Sequence, residues 1–276
     1  MTAPAAPAIR GVDDVIAPGY RAIAHMRRGN DVDVYDAWSE ERNSRCVIKE
    51  LRSDRRAHKR ARARLRAEGR LLLALQHPHI VRAYELVVRP DPVLVLETLQ
   101  GETVSHLISG RTRRLEASEV AHLGLHLCSA ISYIHRRGYL HIDLKPSNLI
   151  AECGQVKVID FNLARQPGRA RRGIGTPRYL APEQALARRI GPPADLWGIG
   201  VVLYEGLTGS PAFPAGVRAA LDDAPAGVWP PNGGISSLRR VPGQFAQTVE
   251  ACLERNPADR PDIDELTQVL TRFASG

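Results

Sequence analysis

The stretch His141-Ile142-Asp143-Leu144-Lys145-Pro146-Ser147-Asn148, followed by Asp160-Phe161-Asn162, constrains this chain more than any other feature. Moving a phosphoryl group onto a hydroxyl needs a carboxylate to orient the nucleophile, side-chain oxygens to hold Mg2+, and a cation on the migrating group. Asp143, Asn148 with Asp160, and Lys145 can fill those roles in that order. A lone His-x-Asp near a second aspartate would be weak evidence. Here further ordered segments continue through to Arg260.

These residues resemble the catalytic loop and metal-binding motif of the eukaryotic-type (Hanks-type) serine/threonine protein kinases, in a compact form like the bacterial members. Gly175-Thr176-Pro177-Arg178-Tyr179-Leu180-Ala181-Pro182-Glu183 extends the resemblance. In that family the threonine touches the catalytic aspartate and lysine, and the segment receives the substrate residue after the phosphosite. The Leu-Lys-Pro-x-Asn form resembles Ser/Thr kinases rather than tyrosine kinases. The resemblance implies Asp143, Lys145 and Thr176 as catalytic residues. It implies Asn148 and Asp160 as ligands of Mg2+, with Mn2+ an alternative. Asp195-Leu196-Trp197-Gly198-Ile199-Gly200 matches a buried central helix whose aspartate braces the catalytic loop, and Arg260 is expected to pair with Glu183.

The implied fold is α+β and bilobal: a small five-stranded sheet with one long helix, then a larger, mainly helical lobe. The boundaries are a loose tail over 1–14 and a kinase domain over 15–276, divided into 15–100 and 101–276. A chain of 276 residues with 43% hydrophobic residues can bury such a core. No apolar run approaches a membrane span, and the start lacks the basic and apolar regions of a secretion signal. The chain stops after its last amphipathic helix, with no sensor domain or anchor expected. Cys46, Cys128, Cys153 and Cys252 are scattered and read as reduced thiols, which places the protein in the cytoplasm.

In the first lobe, Cys46-Val47-Ile48 leads into Lys49, an apolar strand ending on a lysine that needs an anionic partner if buried. The resemblance makes Lys49 the residue that holds the α- and β-phosphates of ATP, with Glu68 as its ion-pair partner. It also brings Val34, Val47 above adenine, the Leu96-Glu97-Thr98-Leu99 hinge, Glu102 near the ribose and Leu149 on the pocket floor into the nucleotide site. The phosphate-covering loop departs from the family pattern. Aligned on Val34, only Gly29 of its glycines survives, and Asp31 or Asp33 could face the triphosphate, compensated by Arg27 and Arg28. Weak ATP affinity is expected.

The net charge of +8 is concentrated between Leu51 and Arg70, with nine basic residues against Asp54 and Glu68. Either this is a surface for acidic partners, nucleic acid or anionic lipid, or it is a solvated helix face; composition favours the second, and nucleic acid is not among the expected partners. The first half of that helix has almost no large apolar residue, so it is expected to be mobile or docked on an acidic partner or ligand that sets the Lys49–Glu68 pair. Val120, Leu123, Leu127, Ile131 and Ile134 mark one face of a second-lobe helix, in which His122 and His126 read as ordinary helix histidines.

Two departures bear on regulation. Ile142 stands where many kinases carry the arginine that clamps a phosphorylated loop, and Leu163 to Gly175 contains no Ser, Thr or Tyr. Asn162 replaces a glycine, a mild change because Asn tolerates positive φ. The expected function is transfer of the ATP γ-phosphoryl to protein Ser or Thr, without activation-loop phospho-switching. The substrate is a protein, and the loop arginines allow for an acidic one. A scaffold using a degraded kinase fold is the rival, as is, more remotely, a small-molecule kinase. The loop-rich stretch Pro211–Pro242, the physiological substrate and the oligomeric state stay open.

Overall fold

The computed structural model describes residues 8–110, 114–172, 174–223, 230 and 232–274. Two compact units emerge, Met1–Gln100 and Gly101–Gly276. The architecture is α+β.

The first unit is built on strands β1 (Val15–Ala17), β2 (Tyr20–Arg28), β3 (Val32–Ser39) and β4 (Ser44–Leu51), helix α1 (Lys59–Ala74), and strands β5 (Ala83–Val87) and β6 (Val93–Leu96). They form an antiparallel sheet in the order β1-β2-β3-β4-β6-β5. The five expected strands are β2 to β6, and β1 is a short sixth at the edge.

Alternation along the strands separates two faces. The register Val34↔Lys49, Val47↔Leu96 and Lys49↔Leu94 puts those residues on one face. The other carries an apolar core of Ile16, Tyr20, Tyr35, Ala37, Cys46, Ile48, Val93 and Val95.

Part of the expected loose tail instead lies against that core. The Arg10 N–H donates to the Tyr35 hydroxyl at 3.1 Å, and its guanidinium grips Glu50 at 2.6 and 2.9 Å. Asp13 and Asp14 exchange backbone hydrogen bonds with Ala22. Residues 8–14 therefore have partners that composition could not reveal; residues 1–7 lie outside the described residues.

Helix α1 buries Ala61, Leu65, Glu68, Gly69 and Leu72, a stripe at helical spacing. Its basic first half is docked on its own unit. Arg62 pairs with Asp91 and donates to the Pro90 carbonyl at 2.9 Å, Arg64 reaches Asp31 at 3.0 Å, and Arg66 reaches the Val88 carbonyl at 3.3 Å. The external acidic partner expected to hold this half is not needed for these contacts, because the acids come from loops distant in sequence.

The second unit opens with strand β7 (Glu102–Thr103) and helices α2 (Val104–Gly110) and α3 (Ala117–His135). The hairpin β8 (Leu149–Glu152) and β9 (Gln155–Val158) pairs with β7. Strand β10 (Gly168–Arg169) pairs with β11 (Arg189–Ile190), flanking helix α4 (Pro182–Ala185). Helices α5 (Pro193–Thr208), α6 (Val217–Asp223), α7 (Ile235–Leu238), α8 (Gly243–Ala251) and α9 (Ile263–Ala274) complete the unit. Helix α3 buries Val120, Leu123, Leu127, Ile131 and Ile134 and packs against α5 and α9.

Helix α5 is buried on every side from Ala194 to Thr208, the environment its apolar sequence demands. A Cβ on Gly198 would fall 2.8 Å from the Leu144 Cβ, so only glycine lets α5 approach the loop holding Asp143 so closely. The stretch Pro211–Pro242 contains α6 and α7; its residues 224–229 and 231 lie outside the described residues. Among the described residues no helix is long and apolar enough to cross a membrane.

Candidate active site

The first unit buries both partners of a lysine–glutamate ion pair. Lys49 Nζ lies 2.6 Å from Glu68 Oε1, with side chains 10% and 3% exposed. Strand β4 delivers the lysine and the buried stripe of α1 delivers the glutamate. Val34 and Val47, on the same face, are half-buried. Glu97 accepts from the Arg82 N–H at 2.8 Å through its carboxylate, so that side chain pins the chain entering β5. Leu99 is half-buried at the end of this unit.

The loop between β2 and β3 corrects one expectation. Asp33 is buried on the face opposite Lys49, where Arg28 binds both its oxygens at 2.8 and 3.0 Å and His25 lies at 3.2 Å. Burial works to raise this carboxyl, but the hydrogen bonds from Arg28 and His25 outweigh it and hold it below its ordinary value. Asp31 is bound by Arg64. Both carboxylates are thus neutralised within the unit. The Gly29 N–H donates to the Val32 carbonyl at 2.8 Å, which commits it to closing the turn.

The second unit gathers the catalytic-loop residues. Lys145 Nζ donates to Asp143 Oδ2 at 2.9 Å and to Thr176 Oγ1 at 2.7 Å, and Thr176 Oγ1 stands 3.3 Å from Asp143 Oδ1. The register Leu149↔Val158 brings Asn148, just before β8, and Asp160, two residues after β9, to the same end of the hairpin. Asn148 donates through Nδ2 to the Asp143 carbonyl at 3.0 Å and to Oδ2 at 3.1 Å. Its amide oxygen is a hard donor. Asp160 receives the Asn162 N–H and Nδ2 at 3.3 Å each. An amide and a carboxylate oxygen suit Mg2+, which keeps waters and phosphate oxygens in its other positions. Among the described residues no group of three His, Cys, Asp or Glu is placed to hold a metal ion. Leu149 is fully buried and Glu102 is exposed on β7.

The loop is anchored from below. Asp195, from the first turn of α5, accepts from the His141 N–H at 2.9 Å, the Ile142 N–H at 2.7 Å and His135 Nε2 at 2.8 Å. Gln184 donates to the Ile142 carbonyl at 2.9 Å. His141 is fully buried with its ring edge-on to Phe161 at 4.8 Å, and burial lowers its pKa despite three nearby aspartates. Arg260 binds both oxygens of Glu183 at 2.8 Å and lies over the Trp197 ring.

His135 and Gln184 were not singled out in the sequence. Each forms a long-range hydrogen bond with no local signature; the one hint was their position beside recognised segments. Asn162 is not among the positive-φ residues, so tolerance of positive φ does not explain it. Its side chain instead bonds Asp160. Ile142 holds the left-handed conformation, at φ 55°.

Similarity to known proteins extends over most of the chain. The protein kinase domain matches residues 20–270. A probable serine/threonine-protein kinase of Streptomyces coelicolor is 34% identical over 68% of this chain and 30% of its own. The serine/threonine-protein kinase PkaA of the same organism is 33% identical over 76% of this chain and 39% of its own. Pkn1 of Myxococcus xanthus, also a serine/threonine-protein kinase, is 30% identical over 92% of this chain and 38% of its own. The chain thus spans between 30% and 39% of the lengths of these three relatives. It belongs to the protein kinase family, carrying a Hanks-type kinase domain of the kind found in these bacterial serine/threonine kinases.

Proposed function

We propose that this chain transfers the γ-phosphoryl of Mg-ATP to Ser or Thr of a protein. The observation that carries this reading is the Lys145 ammonium bridging Asp143 Oδ2 and Thr176 Oγ1 at 2.9 and 2.7 Å. Asp143 receives or orients the substrate hydroxyl proton, and Lys145 offsets charge on the phosphoryl group. Asn148 and Asp160 would hold Mg2+ or Mn2+, which neutralises phosphate charge when bound. Lys49, held by Glu68, would take the α- and β-phosphates. Gly29, Val34, Val47, Glu97, Leu99, Glu102 and Leu149 would line the nucleotide's site. The closed Gly29 turn supports weak ATP affinity, with a KM above the low micromolar range.

Activation without loop phosphorylation is supported by three features. Leu163 to Gly175 lacks any phosphoacceptor hydroxyl, Ile142 cannot clamp a phosphate, and the β10–β11 pairing already fixes part of the segment. Three of the four free cysteines are buried, and burial pushes Cys46 up to about 11 and Cys128 up to about 12; such inert thiols suit a reducing cytoplasm.

The test is transfer of radiolabelled γ-phosphate from Mg-ATP to a generic protein substrate, with Asp143→Asn as control. Label on Ser or Thr that vanishes in the variant supports the reading. Nucleotide or partner binding without any transfer would replace it with a scaffold. A stoichiometric, activating phosphate on Thr176 would overturn the phospho-independence.

A further inference from the structure

Between Leu163 and Ile190 the chain carries seven arginines and one acid, Glu183, which Arg260 binds from outside the segment. The β10–β11 pairing folds this segment back on itself. Gly168 stands opposite Ile190, Arg169 opposite Arg189, and the Ala170 N–H donates to the Arg188 carbonyl at 2.8 Å. Ile190 is buried, so alternation turns Arg169 and Arg189 together toward solvent, where both are exposed. Like charges directly opposite each other weaken an antiparallel pair.

Elsewhere this chain matches arginines to acids: Arg10 with Glu50, Arg28 with Asp33, Arg45 with Asp36, Arg62 with Asp91. Here it does not. Among the described residues, Arg165, Arg169, Arg171, Arg172, Arg188 and Arg189 form no ion pair with an acid, whereas Arg178 lies close enough to Glu205 to influence its titration. The same segment runs into Thr176, which touches both Lys145 and Asp143. The unmatched cations therefore sit on both sides of Thr176, on the one segment that contains it.

We infer that this arginine surface docks an acidic segment of the protein substrate, made of carboxylates or phosphorylated side chains near the acceptor hydroxyl. The inference rests on the kinase reading above. Charge complementarity selects the occupant: the surface presents several cations and no competing acid, and guanidinium groups bind carboxylate and phosphate in a bidentate manner.

The experiment compares phosphorylation of peptides sharing one central serine, with neutral, Asp/Glu or phosphoserine flanks, beside a generic protein substrate. The acidic peptides are expected to have about a tenfold or greater advantage in kcat/KM, carried by KM and shrinking as salt is raised. Arg169→Glu/Arg189→Glu, and the milder Arg169→Gln/Arg189→Gln, should erase that advantage while leaving the neutral peptide's rate unchanged. A phosphoserine peptide favoured over Asp/Glu identifies a primed substrate; equal use identifies plain acids. Equal use of neutral and acidic peptides overturns the inference and leaves the kinase reading standing. Absence of transfer even to the generic protein defeats the kinase reading instead. Anisotropy of a labelled acidic peptide on the Asp143→Asn chain then tests docking alone, and binding lost in the arginine variants sustains it. An RNA of equal charge binding as tightly as the peptide overturns it in favour of an unselective polyanion surface.

Discussion

The backbone N–H of Ile142 lies 2.7 Å from Asp195 Oδ1, although Ile142 sits at φ 55°. A left-handed backbone costs an ordinary residue about 1–2 kcal/mol, and β-branching makes it harder. Asp195 and Gln184 hold Ile142 there by its N–H and carbonyl, and the strain is fixed one residue before Asp143. Asp195→Ala should cost about 2–4 kcal/mol by denaturant unfolding and remove most phosphotransfer. Ile142→Asn should cost less than about 1 kcal/mol, since relief of strain offsets the lost apolar burial. A cost of about 2 kcal/mol or more for that variant would show that the strain is not present.

The Lys49–Glu68 pair separates stability from activity. Lys49→Met leaves Glu68 buried without its lysine, and about 3–5 kcal/mol should be lost. Adding Glu68→Leu removes the stranded charge and should restore most of that stability, with phosphotransfer still absent. A double variant no more stable than Lys49→Met would refute this account.

Asn162 supplies two donors to Asp160, both at 3.3 Å. They would compete with a cation bound at Asp160 for the carboxylate oxygens. Asn162→Gly removes the side-chain donor, so the Mg2+ concentration for half-maximal transfer should fall by about two- to fivefold. An unchanged Mg2+ dependence would mean that the amide and the cation use different lone pairs.

Burial pushes the Glu205 carboxyl up to about 7, against the pull of the Tyr179 hydroxyl at 3.3 Å and of Arg178. Between its ordinary value of 4.5 and about 7, the folded chain keeps a proton that the unfolded chain releases. More protons bound in the native state means that stability falls as pH rises through this window. The penalty is absent below it and complete above it. Glu205→Gln should therefore gain stability over wild type by on the order of 2 kcal/mol between about pH 5 and 7.5. A pH-independent difference in unfolding free energy would place the carboxyl at its ordinary value.

The residues of the catalytic loop were legible in the sequence because their chemistry lies in short, ordered segments. Asp143, Lys145 and Asn148 fall within six residues, and a tight loop can bring them together with few long-range contacts. The core faces were legible for a similar reason: the spacing Val120, Leu123, Leu127, Ile131, Ile134 can bury only one side of a helix. Strand parity was harder. Asp31 and Asp33 looked equally able to face a phosphate, and which face Asp33 occupies depended on the register of β3 against β4.

Sequence alone determined the family and the two-part α+β architecture, and it placed the residues proposed for phosphotransfer in short segments, since these rest on residue type and local spacing. Tertiary structure decided which acid each arginine finds, that Arg10 folds back onto Glu50, that Asp195 holds Ile142 in a left-handed conformation, and that Arg169 meets Arg189 across a strand pair. Those outcomes depend on hydrogen bonds and charges between residues far apart in the chain. No local periodicity encodes such partners; burial and strand register select them only when the whole unit packs.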